Sequence, residues 1–133
     1  MPHPVMFSED DPGLAELREL CLAFPGAEEQ IAHGRPVFRA GKIFATFGGT
    51  EKLRPGDHRP WPSACLVKID PAELPAIDGD GRFFVPAYWG PSGWRGIDLA
   101  DTAVDWTEVG ELVDASYRLV APKRLIAELD ARG

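Results

Sequence analysis

Val37-Phe38-Arg39-Ala40-Gly41-Lys42-Ile43-Phe44-Ala45-Thr46-Phe47 decides the architecture, because it joins two short extended runs by a tight turn. Val37 to Arg39 and Ile43 to Phe47 are rich in the β-branched and aromatic residues that suit a pleated, half-buried surface. Ala40-Gly41-Lys42 between them has the length of a hairpin connection, and Gly41 accepts the positive φ that such a turn often needs. A hairpin pairs its strands antiparallel, so the sheet that contains this pair is expected to grow by hairpins and not by helical crossovers.

Working outward toward the N-terminus, Glu29 to His33 is expected as a short strand. Before it, Leu14, Leu17, Cys21 and Phe24 recur at helical spacing, with Asp11 as cap, Pro12 at the first turn and Pro25-Gly26 as the stop. Toward the C-terminus, residues 48–62 are dense in Gly and Pro without periodicity and are expected as a long exposed loop. Ser63 to Ile69 then alternates as a strand, and Asp70-Pro71-Ala72-Glu73 has the capping-box pattern for a short helix limited by Pro75 and Gly79. Arg82 to Val85 and Arg95 to Leu99 are two more strands. Asp105, with Glu108 three residues on and Val104 placed to staple against Val109, opens a helix whose buried stripe is Trp106, Val109, Leu112, Val113 and Ser116. Pro122 breaks it, and Lys123 to Leu129 adds a last helical segment with Leu125, Ile126 and Leu129 inward.

The order is helix, three or four strands, short helix, two strands, helix, helix. It predicts a two-layer α+β fold, a mainly antiparallel five- to six-stranded sheet with helices packed on one face. The length of 133 residues suits one domain spanning the whole chain, with residues 1–10 as a flexible N-terminal segment. No repeat or low-complexity tract interrupts it.

Three stretches carry a resemblance: His33-Gly34-Arg35-Pro36, Arg82-Phe83-Phe84-Val85-Pro86-Ala87-Tyr88-Trp89-Gly90-Pro91-Ser92-Gly93-Trp94, and Ser116-Tyr117-Arg118-Leu119-Val120-Ala121-Pro122-Lys123-Arg124-Leu125. With them the chain resembles the MmcQ/YjbR family, small bacterial proteins, over most of residues 12–129. The resemblance implies an α+β architecture like that of type III secretion chaperones, the family's conventional DNA-binding label, and at most a drug-binding or sequestering role.

Composition and motifs narrow the chemistry mostly by exclusion. No apolar run approaches the roughly 20 residues of a membrane span, and the start of the chain lacks the basic-then-apolar pattern of a secretion signal, so a cytoplasmic protein that meets no membrane is expected. Cys21 and Cys65 fall on apolar stripes without Cys-x-x-Cys spacing and are expected as core. His3, His33 and His58 have no zinc spacing, so no metal is expected. Asp78-Gly79-Asp80-Gly81 starts like a calcium loop but places Arg82 and Trp89 where oxygen ligands are required. Gly90-Pro91-Ser92-Gly93 lacks the Gly-x-Ser-x-Gly of a nucleophile elbow, and no Gly-rich phosphate loop precedes a helix. No cofactor and no catalytic residue are therefore expected.

The net charge of −7 conceals a division, since residues 35–68 sum to +5 and the remainder to −12. Three classes of function are compatible with these features. A binding module would use His33 and Arg35, the rings Tyr88, Trp89 and Trp94, and Lys123 at the last helix to hold a small aromatic or anionic ligand. Phe84 and Val85 are expected as core, and the competing structural reading has Tyr88, Trp89 and Trp94 folded back as a small core as well, with the arginines bonded to carbonyls at strand ends. DNA binding would use Arg39, Lys42, Lys52, Arg54 and Arg59 on phosphates, against the opposing charge of the whole molecule. A chaperone-like protein-interaction module, as monomer or homodimer, would use a sheet edge or an exposed helix.

Overall fold

The computed structural model describes residues 4–132. Residues 1–3, with His3 of the zinc reading, lie outside the described residues. The elements in chain order are α1 (Leu14–Leu22), β1 (Glu28–Ala32), β2 (Arg35–Ala40), β3 (Lys42–Arg54), β4 (Asp57–Lys68), α2 (Leu74–Asp78), β5 (Phe83–Phe84), β6 (Trp94–Asp98), α3 (Trp106–Val120) and α4 (Lys123–Ala131). A single turn of 3₁₀-helix, Gly90–Ser92, precedes β6. The six strands form one antiparallel sheet in the order β1-β2-β3-β4-β6-β5, as the hairpin at Gly41 requires.

Alternation along the strands divides the molecule into two layers. Phe38 and Ala40 of β2, Phe44 and Phe47 of β3, Cys65 and Val67 of β4 and Ile97 of β6 meet Leu14, Leu17 and Cys21 of α1, Val109, Val113 and Tyr117 of α3, and Leu125 of α4. The helices therefore cover one face. Burial pushes both thiols up, Cys65 to about 12, which keeps them protonated and inert.

Two buried polar groups of α3 tie the layers together. Ser116 Oγ donates to Phe44 O at 2.6 Å and accepts from Lys68 N at 3.0 Å. Tyr117 Oη donates to Pro25 O at 2.7 Å while its ring packs edge-on against Phe44. Asp105 caps α3 as expected, accepting from Thr107 N and Glu108 N. Glu108 does not close a capping box; its carboxylate takes Arg82 instead, at 2.6 and 3.0 Å.

Several expectations need correction. Residues 48–62 are not a loop but continue β3 and β4 as a long hairpin that turns at Pro55-Gly56. Register shifts after Phe47 and after Lys52 absorb the irregular sequence, and Gly48 takes a φ of 83° at the first. Pro60 and Pro62 are tolerated because β4 pairs with β6 only over Ala64–Lys68, so the proline-bearing half has a single neighbour. The cap of α1 is Gly13, left-handed at φ 85°, and the carboxylate of Asp11 accepts from Ser8 N instead. Asp70 caps only a turn, through Ala72 N at 2.9 Å, and α2 begins four residues later. β5 is reduced to two residues, and Val85 beyond it is 48% exposed where core was expected. Of the N-terminal segment, Met6 N donates to Gly34 O at 2.8 Å and Glu9 pairs with Arg18 at 2.7 Å.

No described helix is long and apolar enough to cross a membrane.

Candidate functional site

The face of the sheet that the helices leave open carries its own apolar cluster. Ala64 and Leu66 of β4, Phe84 of β5 and Trp94 of β6 are buried there, with Ile43, Trp61 and Trp89 packed around them. Trp61 stacks on Phe84 with ring centres 4.8 Å apart, and Trp89 leans on Trp94 at 4.7 Å. Gly96 is required beneath this cluster, because a Cβ there would collide with the Phe84 ring and with Leu66.

Trp89 is held over the sheet by the segment that links β5 to β6. Ala87 N donates to Thr50 O at 2.7 Å, and Gly90 N to Pro86 O at 2.9 Å. The strongest anchor is Arg95, 9% exposed, whose Nη1 donates to Trp94 O at 2.7 Å and Gly90 O at 3.1 Å. Its Nε and Nη2 grip Asp78 at 2.6 and 3.2 Å, the two-pronged geometry in which a guanidinium binds a carboxylate best. That hydrogen-bonded grip holds the Asp78 carboxyl below the usual carboxylate range. Asp80, gripped in the same way by Arg82, is lowered to about 2.

Between this segment and the first two hairpins lies a cavity of about 580 Å³. Its floor is the cross-strand pair Val37 and Thr46, and Gly48 lies against the Arg35 guanidinium beside them. Trp89 and Ala87 form one wall, Met6 and Ala32 the other, and His33 and Tyr88 stand at the rim. His33 (φ 53°) and Tyr88 (φ 70°) are the non-glycine residues with positive φ among the described residues, and both border this cavity. Backbone strain of this kind concentrates where a structure serves a site, and Tyr88, a bulky residue 93% exposed, gains no burial in return.

Arg35 brings a guanidinium to the cavity lining. Among the described residues its Nη1 is the buried side-chain polar atom with no hydrogen-bond partner. Burial lowers its pKa, with Asp11 acting in the opposite direction.

The residues singled out from sequence thus separate. His33, Arg35, Tyr88 and Trp89 come together at the cavity. Trp94 does not line an exposed loop; it is 6% exposed within β6 and supports Trp89 from below. Lys123 is not at the cavity: it starts α4, whose Leu125 packs in the helical layer on the other side of the sheet. Both readings of the aromatic stretch are therefore partly realised, with Phe84 and Trp94 folded in and Tyr88 and Trp89 presented. Of the basic residues, Arg39 is spent on Gln30 Oε1 and Gly41 O, Arg54 pairs with Asp57, and Arg59 lies over the Trp61 ring at 5.5 Å. Arg39 and Lys42 sit at one end of β3, and Lys52, Arg54 and Arg59 at the other, roughly 30 Å away at about 3.3 Å per residue. They do not form one face.

Val37, Thr46, Gly48, Thr50 and Met6 were not foreseen at the site. Arg35 and Val37 are two apart on a strand and share a face, but pairing about Gly41 alone would set Val37 opposite Ala45; the register shift at Phe38/Arg39 brings Thr46 there instead.

Among the described residues no group of His, Cys, Asp and Glu is placed to hold a metal ion. A family model described as YjbR matches residues 22–119. Among solved structures, protein DR2400 of Deinococcus radiodurans, with a DUF419 family domain, superposes with a TM-score of 0.61 at 21% identity, over 90% of this chain and 88% of that one. At that identity the likeness concerns the fold. No curated protein matches the sequence.

Proposed function

The chain belongs to the YjbR family, and we propose that it is a non-catalytic binding module that takes a small flat molecule into the cavity beside Trp89. The carrying observation is the cavity itself: about 580 Å³, within the ordinary range of ligand pockets, with a half-buried indole as one wall. Trp89 already rests on Trp94 and is tied in place through Arg95, so little ordering remains for a ligand to impose. The described lining carries no carboxylate and no thiol. What it offers is apolar contact, the hydroxyls of Thr46 and Thr50, and the cation of Arg35.

The test is titration calorimetry with flat aromatic probes on the wild-type chain and on Trp89→Ala. Binding should be lost in the variant while its thermal midpoint stays within a few degrees of wild type. Equal binding by both proteins would sink this reading.

DNA binding is the second reading, and one observation favours it. The outer half of the β3–β4 hairpin extends beyond the pairing range of β2 and β6 and carries exposed Lys52, Arg54 and Arg59. Affinity for duplex DNA should then fall steeply with salt and drop again in Lys52→Ala/Arg59→Ala. Binding that ignores salt would remove this reading.

A further inference from the structure

We infer that the ligand of the cavity carries an anionic head, a carboxylate or a phosphate monoester, received by Arg35; this deepens the binding reading above and rests on it. Arg18, Arg82, Arg95 and Arg118 each hold at least one carboxylate at 2.6 to 2.7 Å. Arg35 is less exposed than Arg82 and Arg118, yet among the described residues its buried Nη1 has no hydrogen-bond partner. A guanidinium taken from water without an acceptor is costly, and such groups persist where something outside the chain supplies the acceptor.

The surroundings are shaped for that cation, which belongs to the lining of the cavity. Gly48 is the residue across from it, and any Cβ there would collide with Arg35 Nη1. Asp11, the acid whose field Arg35 feels, directs its carboxylate to Ser8 N at 2.9 Å. Among the described residues no acid lines the cavity, so none there competes with an incoming anion. A guanidinium matches carboxylate and phosphate oxygens with two parallel N–H donors, so both heads fit and the experiment must separate them.

The experiment is calorimetric titration of the full chain with 2-naphthoate, 2-naphthyl phosphate and the neutral 2-naphthylmethanol. At least one anion should bind ten times or more tighter than the alcohol, and whichever does so identifies the head. In Arg35→Met that preference should vanish, and the ligand-free thermal midpoint should hold or rise, because a half-buried cation whose Nη1 has no described partner has been removed. A structural arginine would instead lower the midpoint by many degrees, and that result overturns the inference. Gly48→Ala gives an independent displacement of the guanidinium, with the same loss of preference expected. If the alcohol binds wild type as tightly as both anions, the anionic head is wrong while the cavity reading stands. If none of the three binds, both fall.

Discussion

The covered and open faces of the sheet are made from alternate residues of the same strands, so local sequence and backbone are shared and only the outlook of each side chain differs. On the covered side Phe44, Phe47, Val67 and Tyr117 are fully buried, and the two polar groups of α3 that enter this layer, Ser116 and Tyr117, have partners. On the open side the Nη1 of an arginine has no hydrogen-bond partner among the described residues, two non-glycine residues take left-handed backbone, and a cavity has an indole as one wall. The lesson is where tolerance lies. Stability is concentrated on the helical side, which lets the other side retain features that carry a free-energy cost, as binding sites commonly do.

The strongest challenge to that contrast is Phe44→Ala, which opens a hole where α1, α3 and β3 meet; urea unfolding should register a loss of about 3–5 kcal/mol. Ser116→Ala comes next. It strips a donor from Phe44 O and an acceptor from Lys68 N, and the expected loss is about 1–3 kcal/mol by the same measurement.

Asp78→Asn sharpens the comparison at the border between the faces, where Arg95 fixes the segment that carries Trp89. Asp78 is 44% exposed, so solvent screening limits the expected cost to about 1–2 kcal/mol at neutral pH. Because its folded pKa is depressed, the contribution is present above the unfolded value of about 4 and lost as pH falls through the folded one. A wild-type stability profile should therefore decline on that acid limb, and the decline should be shallower in the variant. The smallest effect is expected at the rim. Tyr88→Gly removes left-handed strain from an exposed side chain, and the strain relieved and the backbone freedom added should nearly cancel, within about 1 kcal/mol. A loss as large as that of Phe44→Ala would erase the distinction between the faces.

Much of the covered face was legible in sequence because its signals are local. Asp105 before an apolar stripe, Pro122 after it and Gly41 between two β-rich runs each act within a few residues, and each held. The open face depends on pairing between distant residues, and there the local signals misled. Gly48, Gly49, Pro60 and Pro62 look like a loop, but a strand with one neighbour and two register shifts accommodates them. Trp94 follows Gly93 and looked exposed, yet pairing with Lys68 draws it into β6. Val85 follows Phe84 and looked buried, but β5 stops one residue short. At the site, His33, Arg35, Tyr88 and Trp89 stood out by residue type. Thr46 and Gly48 did not, because nothing marks them until the hairpin register is known, and Lys123 was drawn in by chemistry that the sheet keeps apart.

The distribution of indoles has an optical consequence. Trp61, Trp89 and Trp94 all belong to the open face, while Trp106, at the start of α3, alone is packed against the helical layer. Intrinsic emission from this chain is therefore weighted toward one side of the sheet. Energy passing between the touching rings of Trp89 and Trp94 couples that emission to the wall of the cavity, so the protein carries its own lamp at the place where a guest would enter.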